Sequence, residues 1–575
     1  MARAPRLRLS LLRRRRAERR EVREPEFGDR PQYLIEYINE VRGVVGEPQY
    51  LEKLTGELKK RREFNIVYPV GGGVFIHAYS PRDSETAFNM YCVIEPPRPP
   101  AELLRLVDEA LARVIGEEHV PESAEHKKRI LLSLLDEILE PVEGEVDYKK
   151  LLERGIKKTV PVKASEADYL KYHVIRDKVG VGVLEPFLRD PYLEDITCNG
   201  VGPIFVVHKM FGNMQSNRSF ANDDELDEFV IKLGEKIGKP ISHARPVVDA
   251  TLPDGSRINI VYGRDVSLRG SNFTIRRVAK KPISVTQLID WGTFDEKIAA
   301  YMWMMLREGM SVFICGETAS GKTTSLNALA VFIKPTAKIV TIEDTAEVTL
   351  PHPNWTRELT RDTGKPESSV TMFDLLKAAL RQRPNYIIVG EIRGAEGNIA
   401  FQAMQTGHPV ISTFHAADLT RLIQRLTNPP INVPKTSIDN LNIAWFQAAV
   451  YTKTGLLARR VITINEVIGF DPDTGGVAAI PVFTWDPISD RFLFAGRGAS
   501  YLLEEKIAVM RGISRRDIKV IYDELELRAA YLRELVNRKI FDYFDVYKAV
   551  IAAERYGVEQ ALEMLREGRL QLNSG

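Results

Sequence analysis

The sequence predicts an α/β protein whose C-terminal half is built on a parallel sheet, preceded by two smaller α+β regions. Three observations predict it. From residue 283 onward, short apolar runs at 312–315, 338–342, 386–389 and 410–413 alternate with helical stretches, the texture of a sheet buried on both faces. Before residue 281, strands, hairpins and helices follow one another without that alternation. The chain has 575 residues, 44% hydrophobic and 27% charged, a globular composition with length for three to four domains and a core that needs no covalent staple.

The chain begins with a basic block. Residues 1–23 hold ten arginines against Glu18 and Glu21, so a net charge of +2 leaves −6 on the remaining 552 residues. Residues 1–30 read as a disordered solvated tail, able to touch anionic lipid or nucleic acid. The apolar run Leu9 to Leu12 is too short for the core of a signal peptide. A mildly acidic body argues against a broad nucleic-acid face, which needs clustered positive charge.

Residues 31–160 form the first globular region. Segments 64–68 and 74–79, joined through Pro69 and Gly71-Gly72-Gly73, read as a hairpin whose glycines supply positive φ. A strand at 89–94 and amphipathic helices at 101–115 and 126–139 follow, with no chemical motif. Residues 161–281 form the second region, with strands at 204–208 and 258–262, a helix at 223–237 and a turn at Leu252-Pro253-Asp254-Gly255. Ala279-Lys280-Lys281-Pro282 reads as the linker into the third region, 282–575. There, Asp-, Pro- and Gly-rich turns are expected after Thr463, then a helical end over 514–566. No repeat of 20–50 residues is visible. The three cysteines, Cys92, Cys198 and Cys315, are far apart with no CxxC, which fits a reducing cytoplasm and disfavours a disulfide framework or a cysteine-built zinc site. No apolar run approaches the roughly 18–20 residues that cross a bilayer.

The chemistry is concentrated in four blocks. Gly316-Glu317-Thr318-Ala319-Ser320-Gly321-Lys322-Thr323 matches GxxxxGK(S/T) between an apolar strand and a helix, the context that motif requires. Such a loop wraps a β-phosphate with backbone N–H groups at a helix N-terminus. Lys322 reaches the β/γ-phosphates, and Thr323 ligates Mg²⁺. Next, Thr341-Ile342-Glu343-Asp344-Thr345-Ala346-Glu347 places three carboxylates just past a strand, where one can orient the water attacking in line. Tyr386-Ile387-Ile388-Val389-Gly390-Glu391 is an apolar strand ending in an acid, suited to hold Mg²⁺ directly or through water; Arg393 and Glu396 follow it. Finally, His408 and His415 bracket the apolar run 410–413. With no further His or Cys to complete a zinc set, they read as sensors of the γ-phosphate or of the catalytic carboxylate.

In this order, GETASGKTT, IEDTAE, GEIR and TGHPVISTFHA resemble the Walker A, Asp, glutamate Walker B and His boxes of the type II and type IV secretion ATPase superfamily. Its members power type IV pili, type II secretion and the archaeal swimming filament. The resemblance implies a RecA-like P-loop core preceded by a PAS-like α+β domain and a further N-terminal domain. It puts nucleotide on residues 316–324, from Gly316 to Thr324. Glu347 falls on the family's catalytic glutamate, Glu391 on its Walker B acid, and His408 and His415 on its two His-box histidines. Leu184-Glu185-Pro186, Asp195-Ile196 and Leu252 to Arg257 look like its second N-terminal domain. Pro351-His352-Pro353-Asn354-Trp355 is similar to the archaeal branch, and the tetracysteine zinc insert of many bacterial members is absent. Family arginines reach a neighbouring subunit's nucleotide; the candidates are Arg257 and Arg276, then Arg277, Arg381 and Arg383.

What the resemblance implies is an ATP- and Mg²⁺-dependent homo-hexameric motor at the cytoplasmic face of the membrane. It would act on a polytopic platform protein, with residues 31–160 choosing that partner and no zinc or specific nucleic acid involved. Two other readings share the P-loop. A RecA-like nucleic-acid translocase needs a basic channel that the −6 body does not offer. A non-hydrolysing nucleotide-gated scaffold needs a lost carboxylate, whereas Glu343, Glu347 and Glu391 are all present.

Overall fold

The computed structural model describes residues 29–572, apart from short stretches within 56–62, 82–86, 117–120, 156–158, 279–280, 362–366 and 453–456 and positions 474, 497 and 571. The basic segment 1–28 and the linker residues Ala279 and Lys280 lie outside the described residues. The chain divides into two compact units, one ending at Val278 and one starting at Ala279.

The strands of the first unit are β1 (Gln49–Tyr50), β2 (Asn65–Gly71), β3 (Val74–Tyr79), β4 (Asn89–Ile94), β5 (Leu139–Val142), β6 (Val160–Lys163), β7 (Leu193–Cys198), β8 (Gly202–His208), β9 (Gly212–Phe220), β10 (Val247–Thr251), β11 (Arg257–Val261) and β12 (Asn272–Arg276). Ten of them make one sheet, in the order β1-β2-β3-β4-β9-β8-β7-β12-β11-β10. Strands from either side of residue 160 therefore share one sheet, through the parallel pairing of β4 with β9. A buried carboxylate ties the join. Asp190 accepts from Tyr68 Oη of β2 (2.7 Å), Tyr91 Oη of β4 (2.8 Å) and its neighbour Tyr192 N (2.8 Å), so its burial leaves no unmet hydrogen-bonding demand. The helix Asp223–Lys236 starts on an Asn222 cap with three acids in its first turn, as a helix dipole favours. Its Leu226, Val230 and Leu233 enter the sheet's core. A separate small core gathers Leu106, Leu135, Val160 and Leu170, from helices Ala101–Val114, Ala124–Ile138 and Ala164–Lys178 and strand β6.

The second unit continues with β13 (Val312–Cys315), β14 (Ile339–Glu343), β15 (Trp355–Leu359), β16 (Tyr386–Glu391), β17 (Val410–Phe414), β18 (Ile443–Tyr451), β19 (Leu457–Asp471), β20 (Gly476–Asp486) and β21 (Arg491–Phe494). They form one sheet in the order β15-β14-β16-β17-β13-β18-β19-β20-β21. From β15 to β18 every pairing is parallel, and the last three pairings are antiparallel. The expectation of turns after Thr463 is corrected here: β19 runs through that position to Asp471. The turn-forming residues of this stretch sit at the hairpin ends, between Asp471 and Gly476 and between Asp486 and Arg491, so their composition marks the tips and not the segment. The helical end divides into Lys519–Asn537, Tyr543–Tyr556 and Val558–Arg566. The helix Glu296–Arg307 is buried all round from Ile298 to Leu306, and Arg528 of the helical end lies over its Trp303 ring, 4.4 Å from the centroid.

Candidate functional site

Parallel strands deliver their C-terminal ends to one sheet edge. Four adjacent ones, β14, β16, β17 and β13, end at Glu343, Glu391, Phe414 and Cys315. That edge therefore collects the Asp-box acids, Glu391, His415 and the glycine-rich loop, the place where open α/β sheets bind ligands.

The loop leaves β13 at Gly316, whose N–H donates to Phe414 O (3.2 Å). It turns through Ala319 at φ 62° and Gly321 at φ 91° into the helix Lys322–Leu329. Lys322 Nζ donates to Gly316 O (3.0 Å) and Glu317 O (2.9 Å), so its ammonium lies inside the loop. From the neighbouring β18, Gln447 braces it: Nε2 donates to Ser320 O (2.6 Å), and Oε1 accepts from Ser325 Oγ (2.7 Å) and Trp445 Nε1 (3.1 Å). Arg459 Nε adds a bond to Ala319 O (3.1 Å). A Cβ at 316 would lie 2.3 Å from Gln447 O, and one at 321 would lie 2.9 Å from Gln447 Nε2. Close packing on the β18 backbone thus demands glycine at 316, and the positive φ favours it at 321.

The two glutamates of the Asp box differ in kind. Glu343, 1% exposed, accepts from the backbone N–H of Glu347 (2.8 Å) and Val348 (2.6 Å) through Oε1 and from Arg357 Nε (3.2 Å) through Oε2. Burial raises its pKa above the ordinary carboxylate value, and those three donors oppose the rise. Glu347 is half-buried, held through its backbone while its side chain makes no hydrogen bond among the described residues.

Gly390 lies against Glu343, so that a Cβ there would come 3.2 Å from its Cγ, a tight approach to a buried side chain. The register of β16 on β17 shifts between Val389 and Glu391, a bulge that re-aims Glu391. Its Oε2 accepts from Arg393 Nη2, and its Oε1 lies 2.9 Å from His415 Nε2. That approach is not an aligned hydrogen bond, and Oε1 is shielded from solvent without a partner in line. A shielded carboxylate oxygen so placed suits a cation or a bound water, so the residues fit Mg²⁺, which Thr323 and Glu391 would hold. Burial foremost, then Lys322, lowers the His415 pKa, against the pull of Glu391, so the ring is neutral near pH 7. The Arg393 guanidinium is held charged by Glu391 first, and also by Asp344 and Glu347.

The strand separates the two histidines. His408 precedes β17 and His415 follows it, seven residues or roughly 20 Å apart at about 3.3 Å per residue. His408 is therefore not brought to the edge that carries the loop; its Nδ1 lies 3.1 Å from Thr406 Oγ1. Arg257 and Arg276 belong to the first unit, where they are register partners on β11 and β12. Arg277 Nη1 is engaged by Asp254 Oδ2 at 3.0 Å. Sequence reasoning missed Gln447, Arg459 and a pair of arginines, Arg421 and Arg425. The latter line a hollow of about 280 Å³ with Gly316, Glu317, Thr318 and His415, and Arg425 Nη1 donates to His415 O. Arginines at i and i+4 on the helix Leu419–Thr427, just after the second histidine, were the available signal.

The family profile described as Type II/IV secretion system protein matches residues 177–440. The Methanocaldococcus jannaschii protein MJ0900 is 48% identical over 533 residues, covering 92% of this chain and 96% of its own. This chain belongs to the type II/IV secretion ATPase superfamily. Its archaeal branch fits the M. jannaschii relatives. Among other superfamily members, VirB11 of Agrobacterium fabrum is 29% identical over 273 residues, 42% of this chain and 79% of that one. The solved structure of the Legionella pneumophila ATPase DotB is 20% identical, covers 58% of this chain and 93% of that one, and superposes with a TM-score of 0.38. No helix among the described residues is long and apolar enough to cross a membrane.

Proposed function

We propose that the protein hydrolyses ATP as a ring-forming motor, a homo-hexamer at the cytoplasmic face of the membrane. It would drive assembly or rotation of a type IV pilus-like filament, or protein secretion, through a polytopic platform protein. The observation that carries this reading is the convergence of the glycine-rich loop, the Asp-box acids, Glu391 and His415 on one edge of four adjacent strands.

Each side chain has a distinct task. Residues 316–324 cradle the phosphates, and Lys322 leaves its loop carbonyls for the β/γ-oxygens. Thr323 and Glu391 would hold Mg²⁺, which when bound would neutralise charge developing on the phosphates. Glu347 orients the attacking water and takes its proton. Neutral His415, beside Glu391, donates to a γ-phosphate oxygen. Arg257 and Arg276 supply guanidinium groups to a neighbouring subunit's nucleotide, stabilising charge on the transferring phosphoryl. Residues 31–160 select the platform partner, and the 161–281 region moves with nucleotide state.

Two variants of the full chain test the reading. Lys322→Ala should lose nucleotide affinity and turnover together, because a charge-assisted contact to phosphate is gone. Glu347→Gln should retain bound ATP while turnover falls about 10²-fold or more. Near-normal hydrolysis by Lys322→Ala would refute the assignment of the loop. Normal turnover by Glu347→Gln beside an inactive Glu343→Gln would move the base to Glu343.

A further inference from the structure

Behind the Glu347 loop, two side chains outside every motif converge. Asn327 sits on the helix Lys322–Leu329, which opens with the P-loop lysine, and is 8% exposed. It uses both ends of its amide: Nδ2 donates to Glu347 O (3.0 Å), and Oδ1 accepts from Thr349 N (2.9 Å). On the other side of the same residue, Glu343 Oε1 accepts from Glu347 N (2.8 Å). The backbone of Glu347 is thus gripped at its N–H by the end of β14 and at its C=O by the P-loop helix.

Tyr543 closes the bracket. Its hydroxyl lies 3.1 Å from Asn327 O and 3.1 Å from Thr349 O, one proton shared between the helix and the loop. Burial holds this phenol well above its ordinary range, so it remains a donor. Tyr543 is itself anchored at the start of its helix. Asp542 caps that helix, accepting from Phe544 N (3.0 Å) and Asp545 N (3.3 Å), and Lys281 Nζ donates to Asp542 Oδ2 at 2.9 Å. Thr286 Oγ1 donates to Ile540 O at 2.7 Å.

We infer that Asn327 and Tyr543 are positioning residues for hydrolysis, which hold the Glu347 carboxylate at a fixed distance from the phosphates gripped by Lys322. The helical end of the chain is thereby part of the hydrolytic apparatus. One rigid helix carries both Lys322 and Asn327, so a single element sets the separation between the phosphate clamp and the loop bearing the base. Such a separation matters because misplacement by about 1 Å costs on the order of 10²-fold in rate. The inference rests on the reading of Glu347 as the base.

The test uses the full chain with Asn327→Ala, Tyr543→Phe, Glu347→Gln and the double variant Asn327→Ala/Glu347→Gln. Steady-state ATP turnover is measured beside the affinity for a non-hydrolysable ATP analogue with Mg²⁺. Asn327→Ala should lower kcat about tenfold or more, and Tyr543→Phe about three- to tenfold, with analogue affinity within about threefold of the parent. In the Glu347→Gln background, Asn327→Ala should cost nothing further, because it acts through Glu347. Tyr543→Phe keeps the ring and the packing, so it decides the matter if Asn327→Ala fails to fold. Wild-type kcat in both single variants, or losses that multiply in the double variant, would overturn the inference while an inactive Glu347→Gln left the base assigned. Normal turnover by Glu347→Gln would overturn the base and this inference with it.

Discussion

Replacing Gln447 by Ala should loosen the nucleotide loop and destabilise the second unit together. The side chain is 3% exposed, and its partners Ser325 and Trp445 are fully buried. Truncation removes the donor to Ser320 O and the acceptor for Ser325 Oγ and Trp445 Nε1. A buried polar group left without a partner costs about 1–3 kcal/mol. Because the Ser325 hydroxyl can rotate toward another acceptor, about 2–5 kcal/mol is expected for the three groups. At roughly 2–4 °C per kcal/mol for a unit of this size, the melting transition should fall by about 5–15 °C. Gln447→Glu separates the two effects: it keeps the acceptor for Ser325 and Trp445 but sets a carboxylate against Ser320 O and near bound phosphate. Calorimetry with ADP titration should therefore show Gln447→Glu losing affinity more than stability, and Gln447→Ala losing both. A Gln447→Ala protein that melts within 1 °C of the parent and binds ADP equally would refute the bracing role.

Two further outcomes follow from the same geometry. His77 is fully buried, accepted by Asn65 Oδ1 at 2.6 Å and facing Tyr37 Oη at 3.0 Å, and burial lowers its pKa to about 4. The unfolded chain therefore takes up this proton first, and stability falls as pH drops below about 6.5; between pH 7 and 5 the loss is about 2 kcal/mol. Urea unfolding at both values should show a shallower pH dependence in His77→Gln, and an unchanged slope would exclude this histidine as its source. Mixing Arg257→Ala chains with Lys322→Ala chains should restore some ATPase activity, since some interfaces then hold one intact lysine and one intact arginine. No recovery in mixtures shown to co-assemble would place Arg257 outside the neighbour's site, and full activity of Arg257→Ala alone would shift the assignment to Arg276 or Arg381.

Much of the candidate site at the sheet edge was legible because its parts are local in sequence. Glycines at 316 and 321, an acid after an apolar run and a histidine after another each carry their meaning within a few residues, and the parallel alternation of β13 to β17 says that they meet at one edge. The same logic applied to β17 separates His408 from His415, a consequence of strand direction that spacing in the motif does not display. The bracing side chains were hidden for a different reason. Gln447 reaches Ser320 across 127 residues and Tyr543 reaches Asn327 across 216, and a buried glutamine or tyrosine on an apolar segment looks like any other core residue until its partners are known. The strands after Thr463 were obscured by hairpin tips rich in Asp, Pro and Gly, which punctuate the segment without ending it.

The geometry also supports choosing between the two glutamates of the Asp box. An acid that serves as a general base needs a carboxylate free to meet water, and it needs a backbone that does not drift. Glu343 has the opposite character: it is buried, both oxygens accept, and two of its three donors are the backbone N–H groups of the loop that carries Glu347. Glu343→Gln would keep one oxygen for those N–H groups but set an NH₂ donor against Arg357 and lose the charge there, so it should disturb the loop as well as the rate. Glu347 is fixed by its backbone on both sides, through Glu343 and Asn327, while its half-buried carboxylate stands with Asp344 and Glu391 around Arg393. That guanidinium is a counter-charge to the three carboxylates gathered at one sheet edge. Were Glu391 to hold Mg²⁺ as proposed, the acids left to Arg393 would be Asp344 and Glu347. On the proposed reading, Arg393 would then lie with the carboxylate of Glu347, the residue whose backbone is held on both sides.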